Sequence, residues 1–504
     1  MKRYLLSLDQ GTTSSRAVLF DEQCRPLRFE KREFQQIFPR PGWVEHDPNA
    51  IWSTQIRTAK DASAKHRNKI AGIGITNQRE TTLVWDRLTG KPIHNAMVWQ
   101  DRRTAPIIDE LVSRGYSSYV RRTTGLIPDA YFSGPKIKWL LDNVPNAKKR
   151  ARNGDLLFGT VDTYLISKLT SGRVHVTDHS NASRTMIFDI RRRSWDRKLL
   201  ELLGIPSDML PEVKSSNEIL GYTDKRLFGR EIPICGVAGD QQAALFGQAG
   251  FTKGVAKNTY GTGCFTLINA GPDPPPRHPG LISTIAWSLN NKVTYALEGS
   301  VFIGGAVIQW IRDQLGLVKN ASDTELVGHE TLNSGGVFFV PALTGLGAPY
   351  WNMYARGLII GITRDTTRKQ IVRAALESIC HQTADVLEAM TKTTRNRLRS
   401  LRVDGGASVN NFLMQFQADL LGIRIERSAI HETTALGAAF LAGLALGIWD
   451  DFHELEKLRK VDRIFRPAMP VKLRTEMRIG WRRAVERALD WAKTDRPTGS
   501  PERG

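Results

Sequence analysis

Residues 5–15 read LLSLDQGTTSS: an apolar run stops at an acid, Asp9, and passes through Gln10 and Gly11 into four hydroxyl side chains. A second apolar run, 16–20, comes at once after them. That pattern predicts a β-hairpin whose turn consists of backbone amides and small hydroxyls. Such a turn can wrap an anion, because its N–H groups and hydroxyls converge on one point. Asp9, at the end of a buried strand, would repel a phosphate directly but can hold Mg²⁺ that bridges to it. The sequence contains no G-x-x-x-x-G-K-[ST], so the clamp is not a P-loop. A plain hydroxyl-rich turn would read the same way, and the meaning of the hairpin therefore rests on the rest of the chain.

The chain has 504 residues, enough for two or more domains with full cores. With 41% hydrophobic and 24% charged residues it has the composition of a globular protein, not a disordered one. Lys2 and Arg3 lead into too few apolar residues for a signal peptide, and segment 434–449, TALGAAFLAGLALGIW, is shorter than a bilayer span, so it is expected to be a buried core helix. Four scattered cysteines, Cys24, Cys235, Cys264 and Cys380, without a C-x-x-C, argue for free thiols in a reducing cytoplasm and against a disulfide frame or zinc site. The formal charge of +20 makes nucleic acid a partner to consider, yet the excess is spread over 191–193, 392–402 and 457–483 without interleaved aromatics. A generally basic surface of solvated helix faces explains it, and no specific nucleic-acid role is expected.

Along the chain, residues 1 to about 35 predict three strands. Asp47-Pro48 predicts an N-cap and first helical position, with a helix to about residue 60, which accounts for His46–Asp47 without a metal. Strands are expected at 70–76 and 82–86, with the polar cluster Asn77-Gln78-Arg79-Glu80 between them. An Arg fork beside a Glu acceptor suits a ligand with several hydroxyls, though a surface ion pair would look alike. Within the helix-rich stretch 101–228, Tyr131 stands out, and Asp162 is expected to cap a helix over 163–168. In 232–247, IPICGVAGDQQAALFG, a strand runs into Gly239-Asp240 and a small-residue helix, so Asp240 is either an N-cap or a general base for a substrate hydroxyl. A second hydroxyl and glycine hairpin, NTYGTGCF at 258–265, echoes the first, which suggests a duplicated fold with a nucleotide between two lobes and a boundary near 250–254. A Gly-opened helix is expected over 298–313, a capped helix over 370–390, a glycine turn at 404–407 and an amphipathic helix over 475–491, with the last dozen residues disordered.

LDQGTTSSR, ITNQRETTLVW, VAGDQQAALFG, NTYGTGCF, GLGAPYW and VDGGASVNNFLMQ occur here in one order. The set resembles the FGGY carbohydrate kinases over nearly the whole length, and QRET with VAGDQQAALFG resembles the members that act on glycerol. The resemblance implies an α/β fold of two ribonuclease-H-like (actin-like ATPase) domains, 1–250 and 251–504, closing on a catalytic cleft. It further implies ATP-dependent phosphorylation of glycerol to sn-glycerol 3-phosphate, with Asp240 as general base. By the same carry-over Arg79, Glu80, Trp99, Tyr131, Asp240, Gln241 and Phe265 bind glycerol. Thr12, Thr13, Ser14, Arg16, Thr262, Gly305, Gln309, Gly406 and Asn410 bind ATP or ADP, and Asp9 and Asp240 lie near Mg²⁺. A cytoplasmic homo-oligomer, dimer or tetramer, without membrane insertion completes the expectation. Segment 221–234, GYTDKRLFGREIPI, lacks the glycine-rich loop by which some bacterial members bind fructose 1,6-bisphosphate, and the region 469–476 does not resemble a transport-regulator docking segment, so neither control is expected. The alternatives are another FGGY kinase for a pentulose or tetritol, a non-catalytic actin-like ATPase module, and a basic RNA-binding protein.

Overall fold

A computed structural model describes residues 2–395 and 397–493. The expected terminal disorder falls on positions outside the described residues.

The first hairpin is β1 (Tyr4–Gln10) and β2 (Ser14–Phe20), extended by β3 (Pro26–Glu33). Every residue of β1 is buried, as expected of a strand covered on both faces. With β4 (Ile70–Asn77), β5 (Gly221–Tyr222) and β6 (Pro233–Gly239) these strands form a sheet in the order β5-β6-β4-β1-β2-β3. β1, β4 and β6 run parallel, and the other neighbours are antiparallel.

The second sheet repeats this plan. It contains β7 (Ala256–Tyr260), β8 (Cys264–Gly271), β9 (Ile282–Leu289), β10 (Lys292–Val301), β11 (Ser400–Asp404), β12 (Arg424–Ser428) and β13 (Val461–Phe465). Their order is β13-β12-β11-β7-β8-β10-β9. Again a hairpin, β7–β8, sits beside two parallel strands, β11 and β12, with an antiparallel strand at the edge beyond them. Apart from the extra strand β9, each member of one sheet has a counterpart in the other.

Helices obey their local signals. α1 (Pro48–Ser63) starts where the Asp47 carboxylate accepts from Asn49 N at 2.9 Å, while His46 is occupied by Gln36 at 2.7 Å. α2 (Val161–Leu169) begins earlier than expected, with Thr160 as N-cap, and this corrects the reading of Asp162. Asp162 is fully buried inside the first turn and accepts from Thr160 at 2.5 Å and Thr177 at 2.6 Å. It ties the helix to a neighbouring strand and does not start it.

α3 (Asp240–Gly247) carries the candidate base. A helix does begin after the glycines at 304–305, as α4 (Ala306–Asp313), but Glu298 lies in the middle of β10. The β-branched and aromatic run of KVTYAL upstream won over the helical reading at that end. α5 (Arg368–Thr394) has the Thr367–Gln370 capping box, α6 (Asn411–Leu421) is capped by Asn410, and α8 (Val471–Ala488) lies near the end of the described chain.

Segment 434–449 does form a buried core helix, α7 (Thr433–Ala445). It packs on β1, β4 and β6 of the first sheet and crosses α3. The crossing is backbone on backbone: a Cβ on Gly437 would overlap the Ala243 carbonyl, and one on Gly247 the Thr433 carbonyl. Among the described residues no helix is long and apolar enough to cross a membrane.

Candidate active site

The parallel strands β1, β4 and β6 deliver Asp9, Asn77 and Gly239 to one edge of the first sheet, because Asp9 pairs with Thr76, and Asn77 with Gly239. Just past these three strand ends stand the Thr12–Ser14 turn, the Arg79–Glu80 pair and Asp240, side chains suited to binding and proton transfer. The carboxyl edge of an open α/β sheet is the usual place for a ligand.

Arg79 is the hub. Its Nε lies 3.1 Å from Asp240 Oδ1, and its two terminal nitrogens make a bidentate contact with Glu298 at 2.5 and 3.0 Å. A second arginine, Arg184, lies 3.1 Å from Glu298 and 2.6 Å from Glu80. Two guanidinium groups and two carboxylates thus alternate in a network whose members are at most 3% exposed. Burial alone would raise the Glu298 carboxyl, but Arg184 and Arg79 outweigh it and hold it down to about 2. At Glu80 burial prevails over the same two arginines and the carboxyl is raised. The two acids of one network are driven apart, which leaves Glu80 the more ready to share a proton with a hydroxyl.

Glu80 also sits at φ 60°, an uncommon conformation for this residue type. Its carbonyl is held by the hydroxyls of Ser133 and Thr82, each at 3.0 Å. Strain fixed this firmly at a buried carboxylate is the signature of a positioned binding group.

Asp240 is the exposed end of the network, with 32% of its side chain accessible. Oδ1 takes Arg79 Nε and its neighbour's amide, Gln241 N at 2.7 Å. Oδ2 accepts no hydrogen bond from the described residues, so one oxygen of a clamped carboxylate is free to receive a proton. Gln241 is turned by Lys257, whose ammonium donates to its Oε1 and to Thr259 Oγ1 at 2.9 Å. Burial pulls Lys257 down to about 8 against the opposing pull of Asp404 and Asp240.

The aromatic residues join the same place. Trp99 and Tyr131 meet edge to face at 5.6 Å, Trp99 Nε1 donates to Thr12 Oγ1 at 3.0 Å, and the Arg184 guanidinium lies 5.9 Å from the Tyr131 ring. Phe265 pairs across the second sheet with Thr259 and Ser300. By strand alternation it therefore shares a face with Lys257 and Glu298. Thr13 is exposed, Ser14 is buried with an unpartnered hydroxyl, and Arg16 stands 3.6 Å from both Asp9 and Glu432.

Asp9 is 4% exposed, and burial pushes its carboxyl up to about 7, with Arg16 lowering it and Glu432 and Asp240 raising it. A buried carboxylate with one distant cation is a hard oxygen donor in want of a positive charge. Among the described residues no group of three or more His, Cys, Asp or Glu could hold a metal. That donor set fits Mg²⁺, which takes one or two carboxylates and completes its shell with water and substrate phosphates.

The other expected nucleotide residues form a separate feature. Thr262, Gly305, Gln309, Gly406 and Asn410 all line one cleft of about 430 Å³, floored by Leu376, Ile379 and Leu413. Apolar walls with a few convergent polar groups suit a flat heterocycle.

Arg184, Glu298 and Lys257 escaped the sequence reading. For Glu298 a signal existed, since the alternation through Lys292–Val301 continues past it. Arg184 and Lys257 carry no local signal, because only the tertiary pairing gives them partners.

Two family models cover most of the chain: the N-terminal domain of the FGGY family of carbohydrate kinases over residues 4–247, and its C-terminal domain over 256–446. The chain is 60% identical over 494 residues to "Glycerol kinase 2" of Thermotoga maritima, covering 97% of this chain and 100% of that protein. It is 58% identical to a glycerol kinase of Caldanaerobacter subterraneus subsp. tengcongensis, covering 98% and 100%. The solved structure of Plasmodium falciparum glycerol kinase with ADP superposes with a TM-score of 0.92 at 38% identity, covering 97% of this chain and 98% of that one. Hairpins, clamped acid and cleft thus stand in a chain that belongs to the FGGY family of carbohydrate kinases.

Proposed function

We propose that this protein transfers the γ-phosphoryl group of ATP to a terminal hydroxyl of glycerol, giving sn-glycerol 3-phosphate and ADP. The observation that carries the reading is the free Oδ2 of Asp240, on a carboxylate clamped by Arg79 between a hydroxyl-binding network and a Thr/Ser hairpin. Relatives named glycerol kinase at 58–60% identity over the whole chain support the choice of substrate.

In this reading Arg79, Glu80, Tyr131 and Gln241 hold the hydroxyls of glycerol, while Trp99 and Phe265 cover its carbon face. The adenine end of ATP enters the cleft of Thr262, Gly305, Gln309, Gly406 and Asn410, and the phosphates reach Thr12, Thr13 and Ser14, with Arg16 beside them. As the glycerol oxygen bonds to the γ-phosphorus, its proton passes to Asp240 and the bond to the β–γ bridging oxygen breaks, releasing ADP. Such transfer depends on alignment and charge neutralisation more than on covalent chemistry. Asp9 and Asp240 would hold Mg²⁺, which when bound neutralises charge on the phosphate oxygens. The two lobes divide near residue 250, and their closure on the substrates excludes water, which would compete as acceptor. Four buried free cysteines fit a reducing cytoplasm. A homo-oligomer remains part of the proposal.

The test is ADP release with Mg·ATP in the presence of glycerol, xylulose, ribulose or erythritol in turn. Stimulation by glycerol alone is expected. Stronger stimulation by another polyol would move the specificity within the family, and none by any would remove the kinase reading.

A further inference from the structure

A cavity of about 1060 Å³ lies away from the active site. Its rim comes from residues 252–255, 397–400 and 422–424, the segments that immediately precede β7, β11 and β12. It therefore lies at the amino edge of the three parallel strands. The nucleotide cleft uses the opposite edge, five strand residues away, or roughly 17 Å.

The lining is one-sided in charge. Lys253, Arg397, Arg399, Arg424 and Arg466 face the cavity, and no Asp or Glu is among its described lining residues. Arg424 reaches Glu426 at 2.8 Å, whereas the side chains of Lys253, Arg397, Arg399 and Arg466 make no ion pair with the described residues. Glu426 itself is over-subscribed: Arg459 at 2.8 Å and Arg402 at 4.0 Å share it with Arg424. Arg402 Nε and Arg459 Nε and Nη2 are buried without a hydrogen-bond partner among the described residues, and burial among these neighbours pulls Arg402 down to about 10. Behind the rim, Gly422 takes φ 66°, and its missing side chain leaves the space that the Arg474 guanidinium fills. Five cations thus line a concavity whose walls focus their field, and Arg424 shares its one carboxylate with two further arginines.

Such a cluster destabilises itself unless an anion enters. Guanidinium forks match phosphate oxygens two at a time. A strand of nucleic acid would want aromatic faces on which to stack its bases, and no aromatic residue is among the described lining residues. We propose that this cavity is a second anion site, for a compact polyphosphorylated small molecule, distinct from the nucleotide cleft.

The test is calorimetric titration of the full chain with inorganic tripolyphosphate, in the presence of saturating ADP and glycerol so that the active site is filled. One additional site per chain is expected, weakened at least tenfold in R399E/R466E. Turnover and both Michaelis constants of that variant stay unchanged, which also reports that it folds. The control R191E/R192E alters net charge equally at an exposed basic run elsewhere and leaves the affinity within twofold. The proposal is overturned if tripolyphosphate fails to bind, if excess ADP displaces it, or if both charge reversals weaken it alike. A 12-nucleotide RNA that binds more tightly than tripolyphosphate, through the same arginines, would also overturn it.

Discussion

The two halves share a topology and divide the work. At the carboxyl edge of the first sheet, the hairpin pairs Asp9 with Arg16, and the next two strands lead to Arg79, Glu80 and Asp240. At the same positions of the second sheet, the hairpin pairs Thr259 with Phe265, and the next strand leads to Gly405 and Gly406. One edge is an array of paired charges, Arg79, Glu80, Arg184 and Asp240. The other is a neutral cleft of backbone, hydroxyl and aliphatic surface. The lesson is that a repeated topology supplies two similar turns, and side-chain chemistry alone distinguishes the edge proposed to react from the edge proposed to bind. The halves are then stitched together by residues crossing over: Glu298 of the second sheet neutralises Arg79 of the first, and α7 lies on the first sheet.

The sharpest way to break this asymmetry is to remove the proposed base. D240N keeps a hydrogen-bonding group in place but cannot accept the proton, and turnover is expected to fall by about 10³ while the glycerol dissociation constant moves only a few-fold. Turnover within tenfold of wild type would show that the charged edge does not supply the base.

Next comes the stitch. E298A leaves Arg79 and Arg184 buried with one raised carboxyl between them, and breaking such a buried pair costs about 3–5 kcal/mol. The expected outcome in denaturant unfolding is a loss of that size, with a raised Michaelis constant for glycerol in whatever remains folded. E298Q, which keeps the shape and removes the charge, should fall between E298A and wild type. A near-neutral E298A would mean that the network is satisfied from within the first half.

The neutral edge predicts a smaller and different effect. A Cβ on Gly406 meets nothing within 4 Å, so G406V enters open space in the nucleotide cleft without straining the fold. The Michaelis constant for ATP is expected to rise about tenfold, the loss of roughly 1.4 kcal/mol of binding, with glycerol binding untouched. Equal damage to both substrates would erase the distinction between the edges.

Much of this was legible in the sequence, for physical reasons. Hairpin turns, caps and the strand-to-helix passage at Gly239-Asp240 are local: their residues solve a backbone problem within a few positions, and they write that solution into the chain. The caps at Asp47 and Thr367 and the buried helix α7 stood where the residues put them. Asp162 was misplaced because a buried acid held by two threonines from different elements resembles, in sequence, an acid at a helix start. Glu298 and Arg184 were missed for a deeper reason. Each is an ordinary charged residue until sheet register brings it against a partner 219 or 104 positions away, and no short window contains that information.

Asp9 offers the finest test of the charged edge. Its carboxyl titrates at about 7 in the folded protein against an ordinary 3.8, so between those values the folded chain keeps a proton that the unfolded chain has lost. Linkage then makes this group's contribution to stability fall as pH rises through that window, by about 1.3 kcal/mol per pH unit near pH 5–6, and level off above about pH 8. D9N has nothing to titrate. Its stability relative to wild type should therefore climb from pH 5 to about pH 8 and then stay flat, a difference in which the other ionisable groups cancel. Mg²⁺ with ADP, by favouring the charged carboxylate, should flatten the wild-type slope and leave D9N unmoved. A difference independent of pH would show that burial does not raise the Asp9 carboxyl; one that tracks pH but ignores Mg²⁺ would keep the carboxyl raised and take the metal away from it.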